Sequence, residues 1–112
     1  MVTHMSLNVY FVYVTVPARH DAEFIGAALI KERLAACVNV LPGMMSIYEW
    51  EGQTVTDHEV AMIVKTTGDR VDSVIDRVKA LHTYTCPCVV AWPITAGNLP
   101  FMEWVSKSST GR

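Results

Sequence analysis

The sequence predicts an α+β domain built on an antiparallel sheet. Three observations carry that prediction. Four stretches rich in β-branched and aromatic residues, at 8–16, 34–50, 53–66 and 89–94, have strand composition. Two stretches of helical periodicity, at 21–33 and 68–82, separate the first strand from the second and the third from the fourth. The second and third strands are joined only by Glu51-Gly52, a tight reversal. The order is therefore βαββαβ, the ferredoxin-like split βαβ arrangement, with both helices on one face. A short C-terminal helix follows.

The first strand, Asn8 to Val16, is apolar on both faces: Val9, Phe11 and Tyr13 alternate with Tyr10, Val12, Val14 and Val16. A strand of that kind is central and covered on both sides. Pro17 ends it. The first helix follows over 21–33, with Ala22, Ile25, Ala28 and Leu29 on its inner face and Asp21 at its N-terminus, where an acid suits the helix dipole. The chain then turns extended through Ala35-Ala36. Pro42-Gly43 predicts a bulge or bend in this second strand. The third strand starts polar at Gln53 and becomes apolar from Val60 to Val64.

The second helix shows one stripe, Val71, Val74, Ile75, Val78 and Leu81, with Asp69 and Asp72 in its first turn. A loop at 83–87 leads to the fourth strand, which Pro93 places at an edge. Gly97, Asn98 and Pro100 read as breakers ahead of a short helix over 101–105. The domain is expected to span 8–106, with flexible tails at 1–7 and 107–112.

Helices on one face leave the other face for water, which calls for polar residues. Here both registers of the first and third strands leave an apolar second face, and such a patch marks an interface. The alternation alone therefore predicts a homo-oligomer.

Composition narrows the function. A formal net charge of −2 and singly scattered lysines and arginines exclude an extended basic surface for nucleic acid. No run reaches the about 18 apolar residues of a membrane span, and no apolar signal core precedes the first strand. Three cysteines, an odd count, fit a reducing compartment, so the cytoplasm is the expected location.

His82 with Cys86-Pro87-Cys88 is the most suggestive chemical cluster. Imidazole and thiolate suit copper, zinc and similar ions. Pro87 holds Cys86 extended, which aims the two thiols to one face. The spacing is C-x-C rather than the C-x₂-C of a structural zinc site, and no fourth ligand is evident. The alternative is that both are small apolar residues buried at a strand start. Cys37, inside an apolar strand, reads as core unless the fold brings it near His82. His58 and Glu59 are neighbours on a strand and point to opposite faces, so they cannot act as an acid–base pair. Tyr48, Trp50, Trp92 and Trp104 suit either a ligand cleft or an interface core. No nucleophile elbow, P-loop or dinucleotide fingerprint occurs, and no convergent acid–base set predicts an enzyme.

Several stretches together resemble the CutA family of divalent-cation tolerance proteins. They are Glu32-Arg33-Leu34-Ala35-Ala36-Cys37-Val38-Asn39, Leu41-Pro42-Gly43, Ser46 to Gly52, Glu59-Val60, Lys65-Thr66-Thr67, the His82-x-Tyr84-x-x-Pro87 loop, Pro93-Ile94, and Phe101-x-x-Trp104. The match runs in order from about Val9 to Val105. The resemblance implies a ferredoxin-like homotrimer in which the long second and third strands pair around the three-fold axis. It implies no enzymatic reaction and no organic cofactor.

It also implies metal-ion tolerance with weak binding of copper or another divalent ion. The resemblance carries that binding onto Cys37 and His82, and Cys88 and Cys86 join the candidate set. It places Tyr48, Trp50, Glu51, Glu59, Lys65, Tyr84 and Trp92 at the trimer interface or its clefts. Where the family's loop carries a glutamate after the proline, this chain has Cys88. Val14, Thr83 and Gln53 replace a cysteine, a proline and a lysine found in members. Thiolate in place of carboxylate moves the preference toward softer ions. A trimer that binds a small molecule or a signalling partner at its clefts is the alternative.

Overall fold

The computed structural model describes residues 8–109; of the expected tails, 1–7 and 110–112 lie outside the described residues. Four strands and three helices follow in the expected order: β1 (Val9–Val16), α1 (Arg19–Lys31), β2 (Cys37–Trp50), β3 (Gln53–Thr67), α2 (Val71–Leu81), β4 (Val89–Pro93) and α3 (Leu99–Ser108). A 3₁₀ turn, Gly68–Arg70, leads into α2. The sheet order is β2-β3-β1-β4, and every pairing is antiparallel.

The register assigns the faces. Val12, Val14 and Val16 of β1 lie on one face with Val60, Met62 and Val64 of β3. They close a core against Ala22, Ile25 and Leu29 of α1 and Val74 and Val78 of α2, all buried. Val9, Phe11, Tyr13 and Thr15 lie on the other face, opposite Thr67, Lys65, Ile63 and Ala61. Helix α3 covers only the Val9 end of this second face, through Met102 and Val105.

The remainder of the second face carries apolar side chains that nothing among the described residues covers. Leu41, Val90 and Trp92 are 48%, 53% and 41% exposed, and Phe11, Tyr13 and Ile63 are half-buried beside them.

The bulge expected at Pro42-Gly43 is present: β2 continues through it with one register shift between Leu41 and Met44, with Gly43 at φ +85°. Two helix boundaries differ from expectation. Helix α1 starts at Arg19, two residues before the expected Asp21. Helix α3 runs from Leu99 to Ser108, since Pro100 sits in its first turn, where a missing N–H costs nothing. It thus takes in Lys107 and Ser108 of the stretch expected as tail. Ser109 is buried, and its carbonyl accepts a hydrogen bond from Arg70 Nε at 2.9 Å.

β2 and β3 outrun the rest of the sheet. β1 pairs with β3 only over Val60–Thr67. Among the described residues, Met44–Trp50 and Gln53–Glu59 pair only with each other, as a two-stranded arm. The turn at its tip has positive φ at both central residues, Glu51 at 51° and Gly52 at 79°. These are the signs of a type I′ turn, whose twist matches that of the flanking strands. The arm gives the chain its elongated form, 52 × 26 × 22 Å.

Candidate functional site

The arm's register puts Met44, Ser46, Tyr48 and Trp50 of β2 opposite Glu59, Asp57, Val55 and Gln53 of β3. All eight continue the uncovered second face, because Leu41 and Ala61 of that face begin the run two residues away on β3. Where the arm meets the loop between α2 and β4, a cleft of about 500 Å³ opens. Tyr48, Trp50, Val55, Asp57, Glu59 and Tyr84 line it, with Thr85 and Cys86 at its loop side.

Hydrogen bonds fix the two carboxylates. Ser46 Oγ donates to Glu59 Oε1 at 2.6 Å, and the Tyr84 hydroxyl donates to Glu59 Oε2 at 3.0 Å. The Tyr48 hydroxyl donates to Asp57 Oδ2 at 2.5 Å. Among the described residues, no lysine or arginine lines the cleft. Its electrostatics show in the phenols. Burial pushes Tyr84 up to about 12, and the Glu59 carboxylate adds to the shift. The hydrogen bond to Asp57 raises Tyr48, with burial and the Asp57 and Glu59 charges acting in the same direction.

His82 caps α2 and turns its ring to the end of β1. Nε2 lies 2.7 Å from the carbonyl oxygen of Thr15, and the Tyr84 backbone N–H reaches Nδ1 at 3.0 Å. A carbonyl only accepts and a backbone amide only donates, so Nε2 carries the proton and Nδ1 the lone pair. Both ring nitrogens are thereby engaged. The ring also packs on Tyr84, with centroids 4.8 Å apart. His82 thus ties β1 to the loop that carries Tyr84, Cys86 and Cys88.

The other expected residues are dispersed. Cys86 and Cys88 are exposed free thiols, so they are not the buried core residues weighed as an alternative. Cys37 pairs with Lys65, whereas Thr15, the partner of His82, pairs with Ala61. Four strand residues separate those positions, about 13 Å, while two ligands of one ion lie about 2.0–2.3 Å from it. Within one chain, Cys37 and His82 do not converge. Among the described residues, no group of three or more His, Cys, Asp or Glu side chains is placed to hold a metal ion. A resident metal centre does not fit this arrangement in a single chain.

Lys65 sits away from the cleft, its Nζ 5.5 Å from the Phe11 ring centroid and 5.4 Å from that of Phe101. Trp92 tilts against Phe11 and Tyr13 on the open sheet face. Glu51 is exposed at the turn. Sequence reasoning missed Asp57 and Ser46 as site residues. The alternation Val55, Asp57, Glu59 against Ser46, Tyr48, Trp50 is their only signal, and the tight turn at Glu51-Gly52 sets how the two runs pair.

Comparison with known proteins gives one consistent family. The CutA1 divalent ion tolerance protein family matches residues 10–108. The divalent-cation tolerance protein CutA of Thermus thermophilus is 47% identical over 98 residues, covering 88% of this chain and 95% of that protein. Protein CutA 1, chloroplastic, of rice is 45% identical over 98 residues, covering 88% of this chain and 55% of its own length. The chain thus spans about half of the plant relative. Among solved structures, the periplasmic divalent cation tolerance protein CutA of Archaeoglobus fulgidus superposes with a TM-score of 0.87 at 41% identity, covering 91% of this chain and 99% of that one.

Proposed function

Because the chain belongs to the CutA1 divalent ion tolerance family, we propose that it acts in metal-ion tolerance as a homotrimer and not as an enzyme. The observation that carries the assembly is the arm with its adjoining sheet face. An isolated two-stranded ribbon is marginal in water. This one exposes Met45 and Ile47 at 56% and 67% on one side, and its other side continues the uncovered sheet face of Leu41, Val90 and Trp92. Copies of the same chain, each offering the same ribbon and face, supply the missing cover.

The metal enters this proposal as cargo. Cys86 and Cys88 are the accessible soft ligands and favour copper or a similar ion. His82 joins them only by releasing the Tyr84 amide from Nδ1, and Cys37 only from a neighbouring subunit. Three free thiols fit a cytoplasmic place of action.

Light scattering of the purified protein tests the assembly. A mass of three chains of 12.4 kDa is expected. Leu41→Glu and Val90→Glu, both on residues exposed in the single chain, should shift it toward monomer. A monomeric wild type, or charged variants that stay trimeric, would count against the proposal. Titration with copper(I) tests the cargo: Cys86→Ser with Cys88→Ser should remove most of the uptake, and undiminished uptake would exclude those thiols.

The cleft favours a second reading, a trimer that binds a small molecule between the arm and the 83–88 loop. It has the volume and the mixed apolar and polar lining of a ligand site.

A further inference from the structure

We propose that the cleft between the arm and the 83–88 loop takes an organic ammonium cation, held between the aromatic walls of Tyr48, Trp50 and Tyr84 and the carboxylates of Asp57 and Glu59. This rests on the second reading above, that the cleft holds a small molecule, and it names the chemical class.

Three observations converge on that class. The first is charge: two carboxylates face a common space, and no basic side chain among the described residues lines it. Both carboxylates also receive their hydrogen bonds from neutral hydroxyls, those of Ser46, Tyr84 and Tyr48. Their negative charge is therefore oriented but not neutralised. Within one chain an anionic ligand is repelled, and no ion pair with a protein cation among the described residues fills the site.

The second is the wall. Tyr48, Trp50 and Tyr84 present three rings to one cleft, and none of the ring contacts among the described residues joins them to one another. Tyr84 rests on His82 on one side, and rings spread around a space rather than stacked on one another leave aromatic surface to an occupant. Such faces attract alkylammonium groups, and carboxylates at the rim add to the attraction. The raised phenols of Tyr48 and Tyr84 agree with a site that resists added negative charge.

The third is the contrast with the hydrated metal ions the family name invokes. Those ions need several converging oxygens. The Glu59 oxygens are each committed to a hydroxyl, and no three-ligand group forms among the described residues. A weakly hydrated organic cation asks only for ring faces and a nearby charge.

The test is a titration of the assembled wild-type protein with tetramethylammonium chloride, at ionic strength held constant with sodium chloride. Tryptophan fluorescence is the first readout, because Trp50 lies in the cleft. Calorimetry is the second and serves Trp50→Leu, which lacks that reporter. Uncharged tert-butanol of similar size and sodium acetate are the matched probes. Saturable binding of tetramethylammonium alone is expected. Glu59→Gln and Trp50→Leu should each weaken it at least tenfold, and light scattering should find both variants with the wild-type mass.

If tert-butanol or acetate saturates as well as tetramethylammonium, the ammonium assignment fails and a small-molecule cleft survives. If none of the three saturates, both fail. If Trp50→Leu and Glu59→Gln bind as tightly as the wild type, the site lies elsewhere and the proposal is overturned. A double variant, Asp57→Asn with Tyr84→Phe, replaces either single variant that misfolds: a tenfold loss supports the proposal, and undiminished binding overturns it.

Discussion

Replacing His82 by phenylalanine separates its hydrogen bonds from its bulk. The ring stays and can still pack on Tyr84, while both nitrogens are lost. The cost is worked from the two bonds. Tyr84 is exposed, so water replaces Nδ1 as acceptor and little is lost there. Thr15 is different: it is 9% exposed, and its carbonyl lies past the last residue of β1 that pairs with β4, where His82 takes the place of a strand partner. Leaving a buried carbonyl unsatisfied costs about 1–3 kcal/mol.

His82→Phe should therefore destabilise each chain by about 2 kcal/mol. Urea denaturation at matched chain concentration measures it, because the stability of an assembly depends on concentration. Hydrogen exchange at the Tyr84 amide gives the independent readout and should accelerate. A loss below about 0.5 kcal/mol, the usual scatter of surface substitutions, together with unchanged exchange at Tyr84, would refute the bridge.

Two further outcomes follow from the arm and its cleft. Tyr84 keeps its proton to about pH 12 in the folded protein, above the ordinary tyrosine value. A raised folded value means that its contribution to stability is complete below the unfolded value and is lost as pH rises through about 12. Ultraviolet titration of tyrosinate should show a late phase that disappears in Tyr84→Phe and moves to lower pH in Glu59→Gln. Gly52→Val places a β-branched residue at φ +79° in the arm's turn. It should cost about 1–2 kcal/mol, read by urea denaturation, although a Cβ there meets nothing within 4 Å; the cost is backbone strain, not a clash.

Much of the fold is legible in the sequence because strand alternation and helix periodicity are local. The core stripe Val74, Val78 and Leu81 and the two-faced β1 need no tertiary information. The apolar second face is also readable, since it survives either register. Punctuation is where the sequence misleads. Pro100 reads as a breaker, yet at the first turn of a helix proline is tolerated, so α3 extends further in both directions than expected.

The site is harder to read for a physical reason. The chain around His82 carries no sign that its ring meets a carbonyl 67 residues earlier. Asp57 and Tyr48 are brought together by the tight turn at Glu51-Gly52, which sets the register of the arm. Long-range packing decides the first, and the turn decides the second.

The arm links assembly to the cleft. A two-stranded ribbon has no third strand to hold its twist, so its position is set by whatever covers it. Tyr48, Trp50, Asp57 and Glu59 all sit on that ribbon, whereas Tyr84 is held to β1 through His82. The Tyr84–Glu59 hydrogen bond joins the two sides at 3.0 Å. A cleft with one wall on a ribbon is only as well formed as the ribbon's cover. If neighbouring copies supply that cover, ligand binding and assembly must favour one another by the same factor, since coupling free energies are reciprocal. Val90→Glu lies outside the cleft lining and should nevertheless weaken tetramethylammonium quenching in the same titration, in proportion to the trimer it removes. Unchanged quenching by a monomeric Val90→Glu protein would show that the arm holds its shape alone.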